Sequence, residues 1–231
     1  FRRSRCWPAQ GPRAVRNLCG YAHGTSGVAH ALLELFELTG DPRFARVAQG
    51  AFDYERSWLD HLGTWADLRG VGREARSDAP LSGTASWCNG ASGILLARLR
   101  ATDLSPSADV TTDAEVALAT CEQHAMGLLA HAPGDFSLCH GVAGIGDALL
   151  EAAQGPDDPC VRLAAELGRW GIEHARGEIG RFPCGLLNGE TPGLHLGLAG
   201  IGLFFLRLAD PDLESALLVR RKRLTAPIAT T

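Results

Sequence analysis

A fourfold repeat limits this chain more than any other feature. Four stretches share one pattern: "HGTSGVAHALLEL" from His23, "CNGASGILLARL" from Cys88, "HGVAGIGDALLEA" from His140 and "LGLAGIGLFFLRL" from Leu196. Each has a lead residue, then Gly-x-(Ser/Ala)-Gly, then an apolar run with helical spacing. The first glycines, Gly24, Gly90, Gly141 and Gly197, lie 66, 51 and 56 residues apart. That period is too long for one helix per repeat and suits a helical hairpin with its loops.

The intervals supply the second helix. "DPRFARVAQGAFDYERSWL" opens at Asp41 on Asp-Pro, a helix start signal, and places Phe44, Val47, Ala48, Ala51 and Phe52 on one face. Residues 109–131 and 157–176 read the same way. A helix apolar all round belongs inside, and an amphipathic one belongs on an outer surface. Repeating such pairs predicts an all-α fold, an alpha/alpha toroid of inner and outer helix rings or a curved stack of hairpins.

The paired glycines open the first turn of each inner helix, exposing N–H groups and letting neighbouring helix ends approach. Taken singly, Gly-x-x-Gly needs nothing beyond tight packing. In four copies it also brings the lead residues His23, Cys88, Cys139/His140 and Leu196 around one mouth.

Composition excludes several classes. With 45% hydrophobic and 21% charged residues the chain is globular rather than disordered. A net charge of −4 offers no basic field for nucleic acid. The cluster Arg220-Arg221-Lys222-Arg223 reads as a solvated tail. No apolar run reaches transmembrane length, and "FRRSRCWPAQ" is not a signal peptide. The start on Phe1 rather than Met marks the chain as an expected fragment of something longer. Seven cysteines argue for a reducing, cytoplasmic setting rather than a disulfide framework.

Cys88, Cys139 and His140 then form a candidate metal site. Zinc favours thiolate and imidazole, and three protein ligands with one open position mark a catalytic ion. Two thiolates cancel the charge of the ion, so a bound substrate thiolate stays electron-rich. That suits thiol alkylation better than hydrolysis. Cys6, Cys19, Cys121, Cys160 and Cys184 read as buried apolar thiols. His30, His61, His124, His131 and His174 read as surface or satisfied core histidines. His195 sits one place out of register with His23 and His140 and is a pocket-lining candidate. His23 leads the first repeat at the place equivalent to Cys88, where a titrating imidazole can exchange protons with a carbanion or a thiol. Asp67, Glu74 and Asp78 read as solvated loop carboxylates, not a glycosidase pair.

"GYAHGTSGVAHALLEL", "SWCNGASGILLARL", "SLCHGVAGIG" and "PGLHLGLAGIGLFFLRLADP" together resemble the LanC-like lanthionine cyclases. "AFDYERSWLDHLGTWADLR" before "SWCNG" looks most like the C-terminal cyclase domain of class II, LanM-type lanthipeptide synthetases. The resemblance implies a toroid around one zinc ion held by Cys88, Cys139 and His140, with His23 as the acid/base residue. It implies addition of precursor-peptide cysteine thiolates to dehydroalanine or dehydrobutyrine, giving thioether rings. The implied partner is a dehydrated precursor peptide, leader plus core, and in a full-length protein an N-terminal dehydratase domain. The resemblance runs from about residue 14 to residue 213, which makes 1–13 a remnant or linker, 14–213 the LanC-like domain and 214–231 a C-terminal tail. The family toroid has about seven hairpins against four here, so the resemblance implies a C-terminal partial toroid in which the family's acidic active-site residue has no counterpart. Asn89 stands where related sequences often carry His or Tyr, and its implied role is to orient a substrate carbonyl. Two other readings use the same residues: addition of glutathione or another free thiol to dehydrated peptides, and a zinc-stabilised scaffold that only binds a peptide.

Overall fold

The computed structural model describes residues 17–69, 83–131, 134–176, 181–185 and 189–220. Among them run α1 (Thr25–Thr39), α2 (Pro42–Arg56), α3 (Ala91–Leu104), α4 (Ala108–Ala130), α5 (Val142–Ala152), α6 (Pro159–Arg176) and α7 (Leu198–Ala209). The described residues contain no β-strand. Two isolated bridges, Leu59 with Trp65 and Ala66 with Gly83, fasten the connection between α2 and α3. The fold is all-α, with the inner and outer rows of an alpha/alpha toroid. Helices α1, α3, α5 and α7 each pack on the next to make the inner row, and α2, α4 and α6 each pack on the inner helix before them.

The two kinds of helix start differently. Outer helices carry side-chain caps: Asp41 accepts from the Arg43 N–H at 2.9 Å, and Ser107 from the Val110 N–H at 3.2 Å. The inner helices start on Gly24, Gly90, Gly141 and Gly197, with no side-chain cap. Burial follows position in the row. In α3 every residue from Ala91 to Arg98 is buried, and in α5 every residue from Val142 to Leu149. The terminal inner helices are buried on one side only, leaving Leu35, Leu38, Leu198 and Leu206 exposed. The core runs through Ile94, Leu95, Leu96, Phe136, Leu138, Leu149 and Phe204.

One buried ionic knot joins the first two hairpins. Arg98 of α3 is 0% exposed and lies 3.0 Å from Glu55 of α2 and 3.1 Å from Asp113 of α4. Its guanidinium also covers the Phe52 ring at 3.8 Å. Glu55 in turn accepts from the Gly20 N–H at 2.8 Å and the Ser26 N–H at 3.1 Å. The loop that leads into α1 is thus held by a carboxylate from α2.

The C-terminal segment differs from a solvated tail as far as it is described. Leu217 and Leu218 are buried, the Trp87 indole donates to the Leu217 carbonyl at 3.2 Å, and His30 bonds the Val219 carbonyl at 2.7 Å. Arg220 pairs with Glu151, which itself binds Arg207 of α7. Residues 221–223 of the basic cluster, and Glu74 and Asp78, lie outside the described residues.

Removing a buried charge partner strands the others. Arg98→Met should therefore cost about 3–5 kcal/mol, because Glu55 stays buried without a cation, while Asp113 keeps only Arg56 at 3.0 Å. Urea denaturation of the two proteins checks this; a loss under 1 kcal/mol would show that the knot is not what joins the hairpins.

Candidate metal centre

The site is built by four copies of one loop. In each repeat the N–H just after the first glycine is capped by a carbonyl seven residues earlier: Thr25 on Leu18, Ala91 on Thr84, Val142 on Asp135 and Leu198 on Thr191. This backbone cap replaces the side-chain cap of the outer helices. It also explains the glycine pair. A Cβ on the second glycine (Gly27, Gly93, Gly144, Gly200) would stand 2.1, 2.0, 2.1 or 1.9 Å from the carbonyl oxygen of Tyr21, Trp87, Leu138 or Leu194. On the first glycine it would meet the loop backbone at 2.0–2.4 Å. What approaches is the repeat's own lead loop, rather than a neighbouring helix end. A neighbour does approach at Gly20, whose φ of +97° and contact with the Asn89 backbone both require glycine.

The loops are stitched in series. The Ala22 N–H donates to the Cys88 carbonyl (3.1 Å), the Cys88 N–H to the Cys139 carbonyl (3.2 Å) and the Cys139 N–H to the His195 carbonyl (2.8 Å). All four residues lie two places before their glycine. This ladder sets the register: Ala22, not His23, is the counterpart of Cys88, while His23 corresponds to Asn89 and His140. His195 is in step with the two cysteines.

The ladder brings Cys88, Cys139 and His140 together, with their ligand atoms within 4.8 Å of one another. Cys88 is buried, Cys139 half-buried, and the His140 side chain 40% exposed. The Cys88 thiol is pushed down to about 5, chiefly because Cys139 donates a hydrogen bond to its thiolate. Cys139 moves up, because it gives that hydrogen bond, is buried and faces the negative charge of Cys88. The two sulfurs share a proton, and a coordinating cation removes it. The outer partners suit such an ion. Asp135 lies 3.3 Å from His140 Nε2, which leaves Nδ1 as the lone-pair nitrogen, and its other oxygen accepts from the Ser137 N–H at 2.6 Å. The Asn89 amide donates to Cys88 Sγ at 3.4 Å. Two sulfurs, one imidazole and a carboxylate behind the imidazole fit a borderline-soft divalent ion.

A cleft of about 280 Å³ opens beside the cluster, lined by Arg69, Thr84, Ser86, Cys88, His124 and His140 among others. Arg69 brings a cation to the same cleft as Cys88. Its Nε and Nη2 are held by Asp67 at 2.6–3.0 Å, and among the described residues nothing pairs with Nη1. Asp67 is accordingly an ion-pair partner rather than a solvated carboxylate. Sequence reading missed both Arg69 and Asp135. Asp135 carries a signal in hindsight, as the cap-carbonyl residue of the repeat whose His140 it touches; Arg69 carries none.

The other predicted residues divide. His23 is exposed and follows Ala22, whose N–H bonds the Cys88 carbonyl. Asn89 is 3% exposed, with its amide nitrogen on the Cys88 sulfur and Oδ1 buried without a partner. The second N–H of that amide nitrogen remains a donor, the type of group that orienting a substrate carbonyl requires. His195 is exposed, stacks on Trp87 at 5.1 Å and does not line the cleft. The six described cysteines are all free thiols.

Comparison with known proteins agrees with this geometry. Over 132 residues, 55% of its length, the chain is 26% identical to the lacticin 481/lactococcin biosynthesis protein LcnDR2 of Lactococcus lactis subsp. lactis. The match spans only 13% of that protein. The family model of the lanthionine synthetase C-like proteins matches residues 5–219, nearly the whole chain. With its repeated glycine-capped helices and its Cys-Cys-His cluster, the chain belongs to the lanthionine synthetase C-like family.

Proposed function

We propose that this chain is the cyclase part of a lanthipeptide synthetase of the LanM type, and that it forms lanthionine and methyllanthionine rings at a zinc site. The observation that carries the reading is the convergence of Cys88, Cys139 and His140 within 4.8 Å in a member of this family. The substrate is a dehydrated precursor peptide. The likeness to LcnDR2, by its name a lacticin 481/lactococcin biosynthesis protein, supports a peptide substrate over a free small thiol. No described helix is long and apolar enough to cross a membrane.

Zinc held by Cys88, Cys139 and His140 would supply a site at which a substrate thiol loses its proton at neutral pH. The chain's own groups do the rest. Asp135 fixes the His140 ring, and Asn89 holds the Cys88 sulfur in place. The substrate sulfur attacks the β carbon of the dehydro residue, and the C=C electron pair moves onto the adjoining carbonyl. Arg69 stands in the same cleft with Nη1 open, placed to donate to that developing oxyanion. The α carbon then takes a proton, which His23, next to the Ala22 that bonds the Cys88 carbonyl, delivers. Atoms balance: one S–C bond and one C–H bond form, and the C=C π bond is spent.

Zinc content by elemental analysis tests the first half. About one ion per chain is expected, lost on chelation and lost in Cys88→Ala and Cys139→Ala. Stoichiometric zinc in both variants would remove the site. The second half is read with a peptide carrying dehydroalanine and cysteine. Ring closure leaves its mass unchanged and removes the thiol that alkylates, whereas addition of glutathione raises the mass.

His23→Ala should keep zinc and slow thiol loss by about 10²–10⁴-fold. Arg69→Gln should keep zinc and slow it by roughly 10²-fold, through kcat more than KM. Wild-type rates in either variant would exclude that residue from the chemistry.

A further inference from the structure

A second cavity, of about 380 Å³, adjoins the metal cleft. The two share Thr84, Ala85 and His124 as a common wall. Its volume is in the range of small-ligand sites. One side is a single stripe of α4: Thr120, Gln123, His124, Gly127 and Leu128, at the i, i+3, i+4, i+7, i+8 positions. Thr64 and Gly83 complete the facing side. Thr120 ties the stripe to the α2–α3 connection by donating to the Gly63 carbonyl at 2.8 Å.

Gly127 has no structural reason to be glycine. It sits inside α4 without a positive φ, and a Cβ there would meet nothing within 4 Å. Glycine inside a helix is less stable than alanine. The glycines of the neighbouring outer helix are different: a Cβ on Gly168 would lie 2.7 Å from Leu208, and one on Gly171 would lie 2.3 Å from Phe136. Gly202 of α7 is also open, but it lines neither cavity. At Gly127 the missing side chain leaves the floor of the cavity bare.

We infer that this cavity is a peptide subsite: an extended, uncharged segment of the precursor core, adjoining the residue that reacts in the metal cleft, lies with its main chain against Gly127. The inference rests on the cyclase reading for its substrate and adds where that substrate runs. The shared wall gives continuity, since a chain leaving the metal cleft past Thr84 and His124 enters the second cavity directly. The lining gives the chemistry. Hydroxyls of Thr64 and Thr84 and the Gln123 amide offer hydrogen bonds to a peptide backbone, and among the described residues no Asp, Glu, Lys or Arg lines the cavity. Burial lowers the pKa of His124, which keeps it neutral near pH 7. A charged leader segment finds no counter-ion there, and a neutral core segment needs none.

The test compares wild type, Gly127→Ala and Gly127→Leu. The binding probe is a labelled ten-residue peptide with serine for the reacting cysteine and alanine for dehydroalanine, followed by fluorescence anisotropy. The reactive form of the same peptide reports ring closure. A role for Gly127 in stability alone predicts that Gly127→Ala raises Tm by about 2–4 °C and changes nothing else. The subsite predicts the same rise in Tm with weaker binding, and Gly127→Leu weaker still, by roughly tenfold in Kd. Both variants should keep wild-type zinc content and wild-type CD. Unchanged Kd in a folded Gly127→Leu protein, with rings still closed, would overturn the subsite and leave the cyclase reading intact. Binding that depends on Gly127 without ring closure would sustain the subsite and sink the cyclase. A wild-type protein that binds no peptide would remove both.

Discussion

Everything at the centre of this molecule depends on a loop pressed against the first turn of its own helix. Carbonyls of Tyr21, Trp87, Leu138 and Leu194 come so close to the second glycines that no β carbon fits between. A gap that tight leaves the loop one path. Four loops on the same path present their backbone edges alike, and that sameness lets the N–H of one meet the carbonyl of the next. The ladder is therefore a consequence of the glycine pair, and the metal cluster is a consequence of the ladder. Cys88 and Cys139 are distant in sequence, yet they are neighbours because each occupies the same place in its copy of the loop.

The positions in the row are not equivalent, and the chemistry follows the difference. The cysteines lead α3 and α5, the two inner helices flanked on both sides and buried throughout their first two turns. A metal centre needs ligands held to a few tenths of an ångström, and the middle of the row is where packing constrains most. His23 leads α1, at an end of the row, and is exposed. Its loop is held instead by Glu55, which grips Gly20 and Ser26 and is itself neutralised by Arg98. An outer-helix carboxylate and an inner-helix arginine thus fix the approach to His23 where neighbouring repeats on both sides do not. Arg69 is anchored by the same kind of device, a carboxylate two residues away.

The repeat made much of this legible before any coordinates. Apolar runs after Gly24, Gly90, Gly141 and Gly197 marked the inner helices, and Asp41-Pro42 and Asp158-Pro159 marked outer ones. Cys88, Cys139 and His140 stood out as metal-binding residue types at repeated places. Register was harder. His23 and Cys88 both open their motifs to the eye, but they differ by one residue when counted from the glycine, and only the backbone ladder enforces that count. Arg69 could not be read at all. It lies in a connection that does not repeat, so no second copy singles it out from other surface arginines. The burial of Leu217 and Leu218 was hidden for a related reason: a short apolar pair after the last helix has no periodicity to announce it.

Charge ties these pieces into one device. Under the proposed function, Cys88 and Cys139 as thiolates would balance a divalent ion, and a third thiolate from substrate would leave one net negative charge. In a half-buried cleft that charge would be unfavourable without a nearby cation. Arg69, on the wall of the same cleft, would be that cation. Its pairing with Asp67 does not cancel the effect, because the carboxylate occupies Nε and Nη2 and directs Nη1 away from itself. In the proposed addition the same guanidinium would serve both moments, next to the sulfur before attack and next to the carbonyl oxygen when the electron pair arrives there. A lysine could supply the charge but not the fixed direction. The aim of Nη1 is therefore set by Asp67 rather than by the substrate.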